Sequence, residues 1–255
     1  MVQKLNYPSH QYAWHCVYRL YLQAVRPAKF NRFQKQRAGR SSDDYSCRPF
    51  DEHRCIFVHI PKCAGVSVSK SLFHNLAGAH QSLKKYRIMF SPTEFSEYFK
   101  FAFVRNPWDR LLSAFFFLKN GGLTANDKRW SEENLSSYSD FESFVRNGIQ
   151  RKDIRAFAHF RPQSDFICLK KQQPAVDFVG YFENLHDDFA YVCRKLNLNS
   201  RLIESNRSPL KKNYQDYYTG EMRQIVARLY AEDIEMLGYS FDNSTLPAML
   251  AARRH

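Results

Sequence analysis

Lys62 stands in a turn of small residues, Pro61-Lys62-Cys63-Ala64-Gly65, followed by Val66 and Ser67. A short apolar run, Cys55-Ile-Phe-Val-His-Ile60, leads into the turn, and residues 66–76 read as a helix after it. The chemistry this suggests is anion binding. A helix start exposes unpaired backbone N–H groups at the positive end of its dipole. Ala64 and Gly65 let an anion approach the main chain closely, Lys62 adds a mobile cation, and Ser67 adds a hydroxyl. The order differs from the G-x-x-x-x-G-K-[ST] phosphate loop, in which the lysine follows the second glycine. The competing reading is an ordinary strand-to-helix turn that happens to carry a lysine.

A second such place begins at Arg105, directly after the apolar run Lys100-Phe-Ala-Phe-Val104. Pro107 suits the first position of a helix reaching about Leu118. The planar guanidinium of Arg105 fits bidentate contact with a phosphate. Ser113, eight residues on in the second turn of that helix, offers a hydroxyl to the same group. Trp108, Leu111, Leu112, Phe115 and Phe116 read as core, and Asp109 and Arg110 as partners in local ion pairs.

The elements that must position these residues follow an alternating plan. Residues 55–60 and 100–104 read as strands buried on both faces, as do 166–169 and 178–182. Residues 184–196 read as a helix, and the stripe Met222, Ile225, Val226, Leu229, Tyr230, Ile234 and Leu237 as another, closed by Gly238. Strand–helix alternation predicts an α/β fold of three layers, with a mostly parallel central sheet flanked by helices. Ligands of such sheets bind beyond the carboxyl ends of the strands, where both turns lie. The expected division is a basic arm and linker over 1–49, one domain over 50–245 and a tail over 246–255.

Of 255 residues, 44% are hydrophobic and 16% aromatic, which excludes a disordered chain. The net charge is +13, but residues 1–40 hold eight Lys and Arg with no Asp or Glu, while the rest holds 30 basic and 25 acidic residues. A nucleic-acid partner is therefore not expected for the body of the protein. Within the arm, Trp14, Val17, Tyr18, Tyr21, Leu22 and Val25 recur at helical spacing up to Pro27. That stripe either packs on the domain or, across residues 12–40, lies on an anionic membrane surface. Residues 27–50 are polar and read as a linker. The apolar core of a secretory signal is missing, which sets the expectation of a cytoplasmic protein, at most peripheral to a membrane, with six reduced cysteines. Cys47, His53, Cys55, His59 and Cys63 match no zinc spacing, so no metal is expected.

A strand–PK-x-x-G-x-S–helix unit followed by strand–VRNPWDR-x-x-S–helix resembles the sulfotransferases that use 3′-phosphoadenosine 5′-phosphosulfate (PAPS). The likeness is strongest to the group-2 carbohydrate enzymes, which include the uronosyl 2-O-sulfotransferases. It spans about residues 54–240 and takes in HFRPQSDF at 159–166 and GYFENL at 180–185. The resemblance implies a P-loop-NTPase-like fold and transfer of a sulfuryl group from PAPS to a hydroxyl of a carbohydrate or glycolipid, with no metal. It implies that Pro61, Lys62, Cys63, Ala64, Gly65, Val66 and Ser67 hold the 5′-phosphosulfate, and that Arg105 and Ser113 hold the 3′-phosphate. It makes Lys62 the stabiliser of the leaving phosphate and His80 the general base, with His159, Arg161 and Gln163 near the acceptor. Cys63, Ala64 and Val66 depart from the usual PKTGGTS form, and Val66 removes a hydroxyl from the loop. Two other readings stay open: an ATP-dependent kinase or NTPase of related fold, against which the absent GK[ST] counts, and a catalytically retired polyanion-binding module, which Val66 and the basic arm favour.

Overall fold

A computed structural model describes residues 9–40, 42–203 and 212–252. Residues 1–8 of the expected arm and 253–255 of the expected tail lie outside the described residues. The described residues divide into two compact units: residues 9–40, 42–104 and 165–203, and residues 105–164 with 212–252.

The first unit is built on the strands β1 (Cys55–Val58), β2 (Phe99–Val104) and β5 (Phe178–Tyr181). They form a parallel sheet in the order β1-β2-β5, with Phe57 opposite Phe101 and Ala102 opposite Val179. Every residue of β1 is buried, as its unbroken apolar run requires. Asp177 pins the entry to β5: its Oδ2 accepts the Lys100 N–H at 2.7 Å and pairs with Lys100 Nζ at 2.8 Å. Helices α1 (Ser9–Val25), α2 (Pro27–Arg37), α3 (Arg48–Glu52), α4 (Gly65–Phe73), α5 (Leu83–Met89), α6 (Pro92–Glu97) and α12 (Leu185–Leu196) belong to this unit. This is a mixed α/β arrangement with a parallel sheet flanked by helices.

Residues 166–169 do not join that sheet. A single helical turn, α11 (Ser164–Ile167), precedes β3 (Cys168–Lys170), which pairs antiparallel with β4 (Gln173–Pro174). Continuous apolar character serves a buried turn as well as a buried strand, and length alone could not separate them.

The arm is also different from its expectation. Residues 27–37 form a helix where polar composition suggests a linker, because Phe30 and Phe33 are buried. In α1 the buried face is His15 and Leu22, while Trp14, Val17, Tyr21 and Val25 are exposed. The reason lies at the carboxyl end of α5. Arg19 Nη1 donates to the carbonyls of Ile88 and of Phe90, the latter at 2.8 Å. A cation satisfying unpaired carbonyls at a helix end outweighs the apolar stripe in choosing the inward face. Burial lowers the pKa of His15 to about 4, so it sits inside uncharged. No described helix is long and apolar enough to cross a membrane.

The second unit packs α7 (Pro107–Lys119), α8 (Ala125–Leu135), α9 (Phe141–Ser143), a π-helical turn (Phe144–Gly148), α10 (Lys152–Ala156), α13 (Gly220–Leu229), α14 (Ala231–Leu237) and α15 (Leu246–Ala252). Leu111, Leu112 and Phe115 from α7 meet Phe144, Phe160, Met222 and Val226 in one core. The stripe over 222–237 is two helices. Tyr230 breaks it at φ −116° and donates its hydroxyl to the Phe160 carbonyl at 2.6 Å. Gly238 closes the second helix at φ 68°, a left-handed position where glycine costs least.

Arg37 fastens α2 to the rest of the first unit by two carboxylates. Its Nε and Nη2 meet Asp51 at 2.8 and 2.5 Å, and its Nη1 and Nη2 meet Glu94 at 2.9 and 2.5 Å. The pairing with Arg37 lowers the Glu94 pKa from 4.5 to about 2. Glu94 is thus charged in the folded protein across a range where the unfolded chain protonates it, and its stabilisation is complete above about pH 4.5 and lost as pH falls towards 2. Arg37→Ala should cost about 1 kcal/mol at neutral pH, discounted for partial exposure of the carboxylates. Urea midpoints across pH 2.5–7 should show that difference shrinking below pH 4.5.

Candidate active site

The turn after β1 is wound tightly. Lys62 (φ 69°) and Ala64 (φ 61°) are both left-handed, so the chain doubles back before entering α4. Ala64 caps that helix and has no side-chain oxygen to offer, so the cap residue makes no side-chain hydrogen bond to the first turn. Such a start presents backbone donors and the positive dipole end to an incoming anion. Lys62, Ala64 and Val66 are half-buried, while Pro61, Cys63, Gly65 and Ser67 are buried. Cys63 turns its Sγ to the Pro61 carbonyl at 3.6 Å. Below the turn, Ser69 is fully buried and its hydroxyl finds no hydrogen-bond partner among the described residues.

What holds the turn in place is His59. Its imidazole lies against Gly65 so closely that a Cβ built on that residue would fall 1.8 Å from a ring carbon. The opposite side of the His59 environment is aromatic: the ring stacks on Phe57 at 5.6 Å and 13°. His80 completes the group, with its ring centre 4.6 Å from that of His59. His80, singled out as a base, thus meets the loop's histidine, reached through a turn in which Gly78 and Ala79 are both left-handed. Burial above all, and then the charge His80 can carry, hold the His59 pKa well below 6.5. His59 is therefore neutral, and its buried Nδ1 has no partner among the described residues. His59 escaped the sequence reading as a site residue. Its signal was a histidine near the end of an otherwise apolar run, three residues before the lysine.

The second unit carries the other expected residues. Arg105 and Ser113 are both nearly buried. Asn106 starts α7 by accepting the Trp108 N–H at 3.0 Å. Arg105 Nε donates to Asp109 Oδ2 at 2.7 Å, an i,i+4 ion pair that holds the guanidinium from one edge. His159 is sandwiched between Phe117 at 5.2 Å and Phe157 at 5.3 Å, and its Nδ1 lies 4.0 Å from Asp127 Oδ1. Arg161 is half-buried. Gln163 is fully buried, and its amide pairs with the main chain of Arg105 at 2.9 and 2.8 Å. That places Gln163 as a support of Arg105 in the interior, where an acceptor-facing side chain was expected. Among the described residues no group of three or more His, Cys, Asp or Glu side chains could hold a metal ion.

Comparison with known proteins bears on the same residues. The chain matches the Sulfotransferase family over residues 48–240. It is similar to carbohydrate sulfotransferase 14 of Danio rerio, 26% identical over 235 residues that cover 76% of this chain and 62% of that protein. It thus spans less than two thirds of that relative's length. It is also similar to an uncharacterized protein of Archaeoglobus fulgidus, 31% identical over 121 residues that cover 48% of this chain and 86% of that one. No solved structure matches it.

The contact between Gly65 and His59 gives a direct test. Gly65→Ala should lower the melting temperature by about 4–12 °C, as expected of a forced backbone shift costing about 2–3 kcal/mol. Combining it with His59→Ala, which makes room for the new methyl, should destabilise less than the two single changes added together. Thermal melts of the three variants measure that coupling.

Proposed function

Since this chain belongs to the sulfotransferase family, we propose that it transfers a sulfuryl group from PAPS to a hydroxyl of a carbohydrate or glycolipid acceptor. We read the fold as the P-loop-NTPase-like one. The observation that carries this reading is the meeting of His80 with the anion-type turn through His59, all within one unit. The curated relative whose name specifies a carbohydrate supports the acceptor class.

The turn suits the 5′-phosphosulfate: it combines a half-buried lysine, two left-handed residues, a helix start whose N-cap alanine makes no side-chain hydrogen bond, and a glycine held against the His59 ring. In the second unit, Arg105 and Ser113 suit the 3′-phosphate. The donor supplies an activated sulfuryl group, so that a new S–O bond to the acceptor replaces the one to the 5′-phosphate. His80 takes the proton from the attacking hydroxyl. Lys62 and the first N–H groups of α4 neutralise the charge that develops on the departing phosphate, by preorganised donors that need not reorient. Val66 contributes no hydroxyl, which weakens the hold on the donor by about one hydrogen bond to a charged group, roughly tenfold or more.

The test is transfer of labelled sulfate from PAPS to a panel of glycans and glycolipids. Lys62→Ala and His80→Ala should each lower turnover by about a hundredfold or more. Adenosine 3′,5′-bisphosphate should raise the melting temperature more than ADP does, with or without Mg²⁺. Near-normal turnover in either variant removes that residue from the mechanism, and a larger shift with ADP overturns the donor.

A further inference from the structure

Gln163 has no exposed surface, yet it carries an amide whose two ends are both used on one residue. Its Oε1 accepts the N–H of Arg105 and its Nε2 donates to the Arg105 carbonyl. A side chain that pairs with both main-chain groups of a residue outside any strand substitutes for a missing strand partner. It fixes the position of Arg105 just where the chain leaves β2. Gln163 is itself held from behind. Its backbone N–H donates to Asp233 Oδ2 at 2.7 Å, and the N–H of Ser164 donates to Asp233 Oδ1 at 2.8 Å. Asp233, in α14, is fully buried. Burial pushes its pKa up, while these two N–H groups and the charge of Arg110 pull it back. From Asp233 to Gln163 to Arg105 runs a chain of four hydrogen bonds, all within the second unit. Asp109 then holds the Arg105 guanidinium by Nε. A buried carboxylate and a buried amide are costly to leave unpaired, so each link holds the next firmly.

We infer that Gln163 and Asp233 are positioning residues for Arg105, and that through it they set a preference for nucleotides carrying a 3′-phosphate over those without one. The inference rests on the reading of Arg105 as the 3′-phosphate ligand. Neither residue touches the nucleotide; they decide where the arginine stands.

The experiment compares binding of adenosine 3′,5′-bisphosphate and adenosine 5′-monophosphate to the full chain by calorimetry. The wild type should bind the bisphosphate more tightly. Gln163→Met and Asp233→Asn should each weaken the bisphosphate about tenfold, the scale of one hydrogen bond to a charged group, and leave the monophosphate within about twofold. A purely architectural role would weaken both nucleotides alike or neither, and either result overturns the inference. In an Arg105→Ala background, adding Gln163→Met should cost no further bisphosphate affinity, and an additive loss also overturns it. Should Gln163→Met fail to fold, Gln163→Glu keeps one acceptor and reads the same ratio. A wild type with no preference between the nucleotides would instead overturn the donor reading of Arg105 itself, and this inference with it. A wild-type preference that survives all the variants overturns the inference alone.

Discussion

The contact on which the first unit's chemistry depends is that between a glycine and an imidazole. Gly65 lies on the ring of His59 at a distance no side chain could share. That closeness brings the start of α4 down onto the end of β1 and lets Lys62 and Ala64 take left-handed conformations between them. The same ring, turned the other way, is the neighbour of His80. One buried, neutral histidine therefore touches both the anion-type turn and the ring of His80. Burial keeps that imidazole neutral, and a charge on it would raise the cost of placing a second charge on the neighbouring His80 ring.

The second unit solves a similar problem by different means. Where the first unit fixes a turn by close packing, the second fixes an arginine by hydrogen bonds from the interior. Both solutions put a cation in the segment that follows a strand: Lys62 four residues after β1 ends at Val58, and Arg105 directly after β2. An anion met by such groups finds donors that are already in place, so that little ordering remains to be done on binding.

Much of this was legible in the residues and some of it was not. The strands at 55–58 and 99–104 and the helix starts at Gly65 and Pro107 follow from local patterns, apolar runs and proline at a first helical position; a local ion pair at Asp109 was expected too, and its partner is Arg105. Long-range satisfaction of polar groups was not legible. Asp233 lies 70 residues from Gln163, and no local signal marks it as the acceptor of two main-chain bonds. The inward face of α1 was misjudged for the same reason, since the carbonyls that draw Arg19 inward belong to a helix about 70 residues later. Periodicity reports which residues prefer to be dry; it is silent on which carbonyl a distant arginine will reach. Gln163 shows the limit most plainly, because a glutamine in a polar loop gives no hint that both its ends will be spent on one backbone.

The six cysteines, all thiols, form a graded set of internal reporters. Cys16 is half-buried, whereas Cys47, Cys55, Cys63, Cys168 and Cys193 are buried. A thiol reagent added to the native protein meets Cys16 first and reaches the others only when the surrounding structure opens. Cys55 lies within β1 and Cys63 in the turn that follows it, so their relative rates of modification distinguish a loop that breathes alone from a sheet that comes apart. The molecule thus carries its own stopwatch for local opening at the place where it is expected to act.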